Sequence, residues 1–395
     1  MAANYLISYP ERCCLWKLFL SLILMHNGLT HQGIECSESV TLQLSNWKIR
    51  LSLILMKIVK SVALPMAALG VLIEFLLNLF LHNGGLLQTL SKLLNGSIVI
   101  AKRDSEKFVS LIGIIEGRSD LYNNDHDDQH DDLNMIGSIS MDPGDRFFAD
   151  ISVMASTLVY ENKLVIRKRV NQVWKMHFVG FCSFWNDHLQ KKSTQAFVFC
   201  DKEVDAKLIV IAFRGTEPFQ ADDYITDLDF SWYEYSPTMG KVHFGFIEAL
   251  GMENRSNHNK TSYNLRKQDP DKPLAYYVLR KILKNLLQVN RSAKFIVTGH
   301  SLGGALAVLF SAMLFAQEEE TLLEKLLAIY TFGQPRVGDE VFANFMNRRV
   351  NQPVHRYYRL VYSNDIVTRV PFNDAIFMFK HIGPCLYYNF FYCET

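Results

Sequence analysis

A heptapeptide, Thr298-Gly299-His300-Ser301-Leu302-Gly303-Gly304, restricts the possible folds more than any other part of the chain. It holds the pattern G-x-S-x-G. A β-favouring run precedes it (residues 294–297, K-F-I-V) and a helix-favouring run follows it (residues 305–310, A-L-A-V-L-F). A chain that turns sharply from strand to helix can expose a serine hydroxyl only if the neighbouring residues are small. Gly299 and Gly303 meet that demand, and Gly304 and Ala305 let the helix pack close to the sheet. The context predicts a nucleophile elbow with Ser301 at its apex, rather than a glycine-rich turn with an incidental serine.

Strand-like and helix-like stretches alternate around this point. Residues 208–213 (L-I-V-I-A-F) read as a buried strand that ends in Arg214-Gly215-Thr216. A helix is expected over residues 274–289, with Leu279, Ile282, Leu283 and Leu286 on one face. Further strands are expected over 295–297, 327–332 and 357–362, and a helix over 304–317. Alternation of this kind implies a mostly parallel sheet covered by helices. The elbow narrows the class to an α/β-hydrolase.

A serine hydroxyl is a weak nucleophile at neutral pH and needs a base, with a carboxylate to orient that base. In this fold the chain order is Ser, then the acid, then His. Asp365 follows the strand over 357–362, which puts its carboxylate at the same sheet edge as the elbow. Asp339 also follows a strand, but it is expected to cap the helix that begins near Glu340. His381 is the one histidine after Asp365. Chain order alone gives it the role of base, against the competing role of a supporting loop histidine. His300 is expected to turn away from the base position, and His243 and His355 precede the acid. For the oxyanion, the amide after the nucleophile (Leu302) is one donor, and Thr216 offers another. Residues 219–240 are rich in aromatics and aspartates. They read either as an amphipathic lid or as a surface loop over a buried aromatic cluster. Serine acyl transfer needs no cofactor and no metal.

The first hundred residues differ in composition from the rest. Residues 51–59 are nearly all aliphatic, and 61–81 are long enough to cross a bilayer. Pro65 stands near the start of that stretch, however, and Glu74 and Asn78 interrupt it. A charge at membrane centre costs about 2.5–3.5 kcal/mol. Trp47, Lys48 and Arg50 precede the pair like interfacial anchors. A monotopic or hairpin-like association with a membrane or lipid surface is expected, the alternative being two core helices. Lys17 interrupts the apolar run over 15–25, which makes a poor signal peptide. Residues 123–132 (N-N-D-H-D-D-Q-H-D-D) read as a solvated linker rather than a metal site. The expected organisation is an N-terminal lipid-associating region (1–122), a polar linker (123–140) and a catalytic domain (141–395). A formal net charge of +1 argues against nucleic acid as a partner. Seven cysteines without a C-x-x-C pair argue against a disulfide framework and favour a reducing compartment.

Several stretches together resemble the class 3 (fungal-type) triacylglycerol lipases, and most nearly the plant oil-body lipases. They are residues 214–219 (R-G-T-E-P-F), 241–246 (K-V-H-F-G-F), 298–304, 330–339 and 364–371, with 104–108 and 117–122 in the N-terminal part. The resemblance implies hydrolysis of acylglycerol esters on the cytosolic side of a lipid droplet or endoplasmic-reticulum membrane. It carries Ser301 over as nucleophile, Asp365 as triad acid and Thr216 as oxyanion residue. It also places the triad histidine several tens of residues past the acid, whereas Thr395 stands only 30 residues beyond Asp365. That departure implies a catalytic domain cut short at its C-terminus, with the base missing or replaced by His381. The alternatives are a weakly catalytic protein that binds lipid surfaces, and a phospholipase or galactolipase.

Overall fold

The computed structural model of the chain describes residues 4–23, 33–37, 47–116, 141–255, 269–373, 378–391 and 393. The strands among them are β1 (Tyr5–Ser8), β2 (Ile34–Cys36), β3 (His177–Asn186), β4 (Lys191–Cys200), β5 (Leu208–Phe213), β6 (Trp232–Ser236), β7 (Gly240–His243), β8 (Lys294–His300), β9 (Leu326–Phe332), β10 (Tyr357–Tyr362) and β11 (Cys385–Tyr388). Seven form one sheet in the order β11-β10-β9-β8-β5-β4-β3. β5, β8, β9, β10 and β11 run parallel, while β4 and β3 are added antiparallel at one side. This is the mostly parallel, helix-covered sheet of an α/β-hydrolase.

The uninterrupted apolar run of β5 has a direct cause. Leu208, Val210 and Ala212 face a core shared with the helix Arg146–Leu158, while Ile209, Ile211 and Phe213 face a core shared with the helices Ala275–Val289 and Leu302–Ala316. A strand buried on both faces has no polar side to alternate with. The same holds for the helix after the elbow, which is buried from Leu302 to Phe315 and therefore lacks an amphipathic pattern. It begins at Leu302, two residues earlier than the sequence suggests, because Ser301 itself makes the turn. In the helix Ala275–Val289, Leu279 and Leu283 are fully buried, with Ile282 and Leu286 packed beside them.

A second, antiparallel sheet has the order β2-β1-β6-β7. Its strand β1 comes from the N-terminal region and pairs with β6, Leu6 opposite Trp232. Residues 219–240 thus form a short helix (Ala221–Leu228) and a hairpin (β6–β7), with Phe230, Trp232 and Tyr233 buried. The buried aromatic cluster is the reading the fold satisfies. The helix is covered by an N-terminal element, with the Ser52 hydroxyl donating to the Leu228 carbonyl.

The N-terminal helices are α1 (Leu15–Ile23), α2 (Trp47–Ser61), α3 (Ala63–Asn83) and α4 (Leu86–Leu94). α2 behaves as a core helix: Ile49, Leu53, Ile54 and Met56 pack on Ile225, Phe230 and Trp232. α3 is inverted. Its buried residues are Gly70, Glu74, Asn78 and Asn83, four or five apart along one face. Glu74 is 8% exposed and Asn78 2%, whereas Leu64 is 85%, Leu72 52% and Phe75 42% exposed. Asn78 exchanges two hydrogen bonds with the backbone of Val109, at 2.8 and 2.9 Å. Asn83 does the same with Val99, at 2.8 and 3.0 Å. The polar residues that interrupt a would-be span are therefore the ones that fasten α3 along the protein. α4 continues the theme, with Leu86, Leu87, Leu90, Leu93 and Leu94 all exposed. The acidic stretch over 123–132 lies outside the described residues.

Candidate active site

β8 ends at His300, and Ser301 turns the chain into the helix Leu302–Ala316. Ser301 has φ 54° and ψ −128°, a conformation that costs a non-glycine residue about 1–3 kcal/mol and persists only where its surroundings enforce it. The surroundings are glycines in near contact. A Cβ on Gly299 would lie 2.2 Å from the Gly303 carbonyl carbon, and one on Gly303 would lie 2.3 Å from the Phe213 carbonyl oxygen. The Ser301 amide donates to the Phe332 carbonyl at 2.9 Å, which pins the turn to β9. Leu302 is the first residue of the helix, so its amide precedes the intrahelical ladder and has no acceptor within it. The helix N-terminus adds a positive potential where an oxyanion would form.

The loop after β5 lies directly against this turn. Gly303 approaches Phe213, Arg214 and Gly215, and a Cβ on Gly215 would collide with the His300 carbonyl at 2.3 Å and the Tyr160 hydroxyl at 2.2 Å. Thr216 follows. Its hydroxyl donates to Asp227 Oδ2 at 2.6 Å. Asp227 Oδ1 is buried without a hydrogen-bond partner among the described residues. Burial pushes the Asp227 carboxyl up to about 7, opposed by the Thr216 hydroxyl and reinforced by nearby Asp223. Arg214 holds the loop in place, bonding Glu217 and Gln195 at 2.8 Å each and Asp223 at 3.1 Å.

Asp365 stands after β10. One carboxylate oxygen accepts from the Val367 amide at 2.9 Å. The other lies 2.7 Å from where a Cβ on Gly333 would be. Gly333 adjoins Phe332, whose carbonyl holds the Ser301 amide, so Asp365 and the elbow share one sheet edge. His300 lies near the same glycine. Its Nε2 is 3.6 Å from the same point beside Gly333, its Nδ1 meets the Tyr160 hydroxyl at 3.0 Å, and both it and Asp365 line one open cleft of about 1060 Å³.

His381, His243 and His355 are engaged elsewhere. His381 Nε2 donates to the Thr368 carbonyl at 2.7 Å, and Nδ1 is buried without a partner among the described residues. Burial, aided by Arg359 and Arg336, pushes its imidazole down to about 3. A base near neutral pH needs the opposite environment. Through the Thr368 bond, His381 ties the turn after Asp365 to the chain before β11. His243 is fully buried and stacks on Phe246 at 3.9 Å, and burial pushes it down to about 4. His355 Nδ1 meets Asn351 at 2.6 Å. Asp339 caps the helix Glu340–Val350 through the Phe342 amide at 2.9 Å.

Tyr160, Asp227 and Gly333 also shape the site, and sequence reasoning does not reach them. They come to Ser301, Thr216 and Asp365 from other elements, and no local spacing marks them. Among the described residues no cluster of three or more His, Cys, Asp or Glu side chains is placed to hold a metal ion.

A strained serine at a strand-to-helix turn, a donor loop beside it and a carboxylate on the same edge define a serine hydrolase site of the α/β-hydrolase type. The family described as lipase (class 3) matches residues 210–375. A triacylglycerol lipase OBL1 of Arabidopsis thaliana is 46% identical over 366 residues, covering 88% of this chain and 70% of that one. Its namesake from Ricinus communis is 38% identical over 425 residues, covering 98% and 80%. Among solved structures, the Rhizomucor miehei lipase propeptide complex is 29% identical, covering 56% of this chain and 60% of that one, with a TM-score of 0.41. The chain belongs to the class 3 lipase family.

Proposed function

We propose that the chain hydrolyses the acyl esters of triacylglycerol at a lipid-droplet surface facing the cytosol. Ser301 is the nucleophile, Asp365 is the triad acid, and Thr216 with the Leu302 amide receives the oxyanion. The observation that carries the chemistry is the Ser301 backbone, held at positive φ by its glycine neighbours against the Thr216 loop. α3 supports the setting. A helix with polar residues inward and leucines outward is the reverse of what water selects, and lipid is the medium that suits its outer face. Its hydrogen bonds to Val99 and Val109 run along its length and suit a helix lying on the surface rather than crossing it. α3 and α4 therefore serve as the lipid-associating part of a single enzyme.

A fluorophosphonate probe tests the chemistry. Labelling of the wild type that Ser301→Ala abolishes, together with fatty-acid release from triolein emulsion faster than from phosphatidylcholine vesicles, is the expected result. Flotation with droplets without labelling would leave a lipid-binding protein of the same fold. Faster release from phosphatidylcholine would make it a phospholipase.

A further inference from the structure

Two contacts join the lipid-facing helix α3 to the loop that carries Thr216. Gly70 lies against Phe219, where a Cβ on position 70 would stand 2.7 Å from the Phe219 Cβ. Phe219 has φ 67°, a left-handed conformation that a bulky residue keeps only when its neighbours hold it. One turn further along α3, Glu74 Oε2 accepts from Arg103 Nη2 at 2.8 Å, and that same nitrogen is 3.8 Å from Glu217 Oε1. Glu217 is the residue after Thr216. Its second oxygen accepts from Arg214 at 2.8 Å, and its amide donates to Asp223 at 2.9 Å. Glu74 is buried, so its carboxylate needs a cation close by, and Arg103 supplies one while reaching the loop.

We propose that Gly70 and Arg103 are positioning residues that transmit the seating of α3 on a lipid surface to the oxyanion loop, residues 214–220. The inference rests on the lipid-surface hydrolase reading above. A surface can bias the loop only through contacts that differ between free and docked states. The exposed apolar side chains of α3 supply that difference, since lipid orders the helix on its outer side while Gly70 and Glu74 meet the loop partners on its inner side. Ordering of the helix then lowers the entropic cost of ordering the loop.

Hydrogen exchange of the full chain, read in peptides covering residues 214–220 with and without phosphatidylcholine-coated triolein droplets, tests this. Droplets should slow exchange in the wild type several-fold. Arg103→Met and Gly70→Ala should still float but lose most of that protection. Their kcat on triolein should fall about tenfold at unchanged KM, and Arg103→Lys should recover part of it. Glu217→Gln cuts the same link from the loop side and serves if either of the others fails to fold. Equal protection in wild type and variants overturns the proposal, as does a floating wild type that gains none. The exchange measurement needs no turnover, so a chain that floats and shows the coupling without hydrolysing triolein refutes the hydrolase reading alone. A chain that does not float overturns both.

Discussion

Thr216 donates its hydroxyl proton to Asp227, a carboxyl that burial holds near neutrality at about 7. Protonated, Asp227 can itself donate to the Thr216 oxygen and leave the threonine proton free for an oxyanion. Ionised, it can only accept, and it competes with the oxyanion for that proton. Asp223, on the same helix, faces Asp227 and is itself paired with Arg214 from the loop. On this geometry kcat falls as pH rises through about 7. Asp227→Asn, an amide that donates at every pH, should flatten that limb in a kcat–pH profile. A carboxyl raised above its usual value of 3.8 contributes stability that is complete below 3.8 and lost as pH rises through about 7. Asp227→Asn should therefore raise Tm more at pH 8 than at pH 5. An unchanged alkaline limb and an equal Tm shift at both pH values would count against this assignment.

Removing the Thr216 hydroxyl altogether asks more of the site. Thr216→Ala keeps the backbone amide but deletes the side-chain donor. The loss of one oxyanion donor is worth roughly 10²–10³ in kcat. KM for a dissolved short-chain ester should change little, because the hydroxyl acts on charge that develops only in the transition state. Steady-state kinetics on such an ester separates the two parameters.

Gly303→Ala probes the elbow itself. The added methyl meets the Phe213 carbonyl at 2.3 Å and the Gly215 amide nitrogen at 3.0 Å, both backbone atoms that cannot rotate away. Overpacking of this kind costs about 1–3 kcal/mol. The strand and helix must part to relieve it, and Ser301 moves with them. A lowered Tm with loss of fluorophosphonate labelling is the expected pair of results.

The sheet and the elbow were legible in the sequence because they are local. The run 208–213 coincides with β5 because a strand buried on both faces writes itself as a continuous apolar segment, and the run 357–362 coincides with β10, whose burial alternates from Tyr357 to Val361. Asp339 was likewise readable as a cap from its place before Glu340. Tyr160 was not readable, because its 3.0 Å contact with His300 joins residues 140 apart. α3 was only half readable. Its length and apolarity mark a lipid-seeking helix, but local sequence does not show that Glu74 and Asn78 find partners in Arg103 and Val109. Chain order alone points to His381 as base, and order cannot show that Nε2 meets the Thr368 carbonyl.

A buried charge cluster sets a stability test away from the site. Arg255 bonds Glu248 at 3.0 Å, the Ser8 carbonyl at 2.6 Å, and Asp229. It thereby ties β1 to the chain after the helix Phe244–Ala249. Arg255→Met leaves two buried carboxylates without their cation, a change that costs about 3–5 kcal/mol. Chemical denaturation should show that loss. A drop under about 1 kcal/mol would mean that the cluster is solvated.

α3 inverts the usual rule for mutating a surface helix. Leu64, Leu72 and Phe75 face outwards, so Leu64→Ser, Leu72→Ser and Phe75→Ser should each change stability by no more than about 0.5 kcal/mol. Combined, they should move the protein from the floating droplet layer to the aqueous phase. Asn78→Leu does the reverse. It makes the helix more apolar, yet it strips two hydrogen bonds from Val109 and leaves that backbone unsatisfied, at a cost of about 1–3 kcal/mol per buried group. It should lower Tm while flotation persists. If instead the outward triple variant unfolds and Asn78→Leu is silent, the helix packs with the opposite face inward and the lipid assignment falls with it.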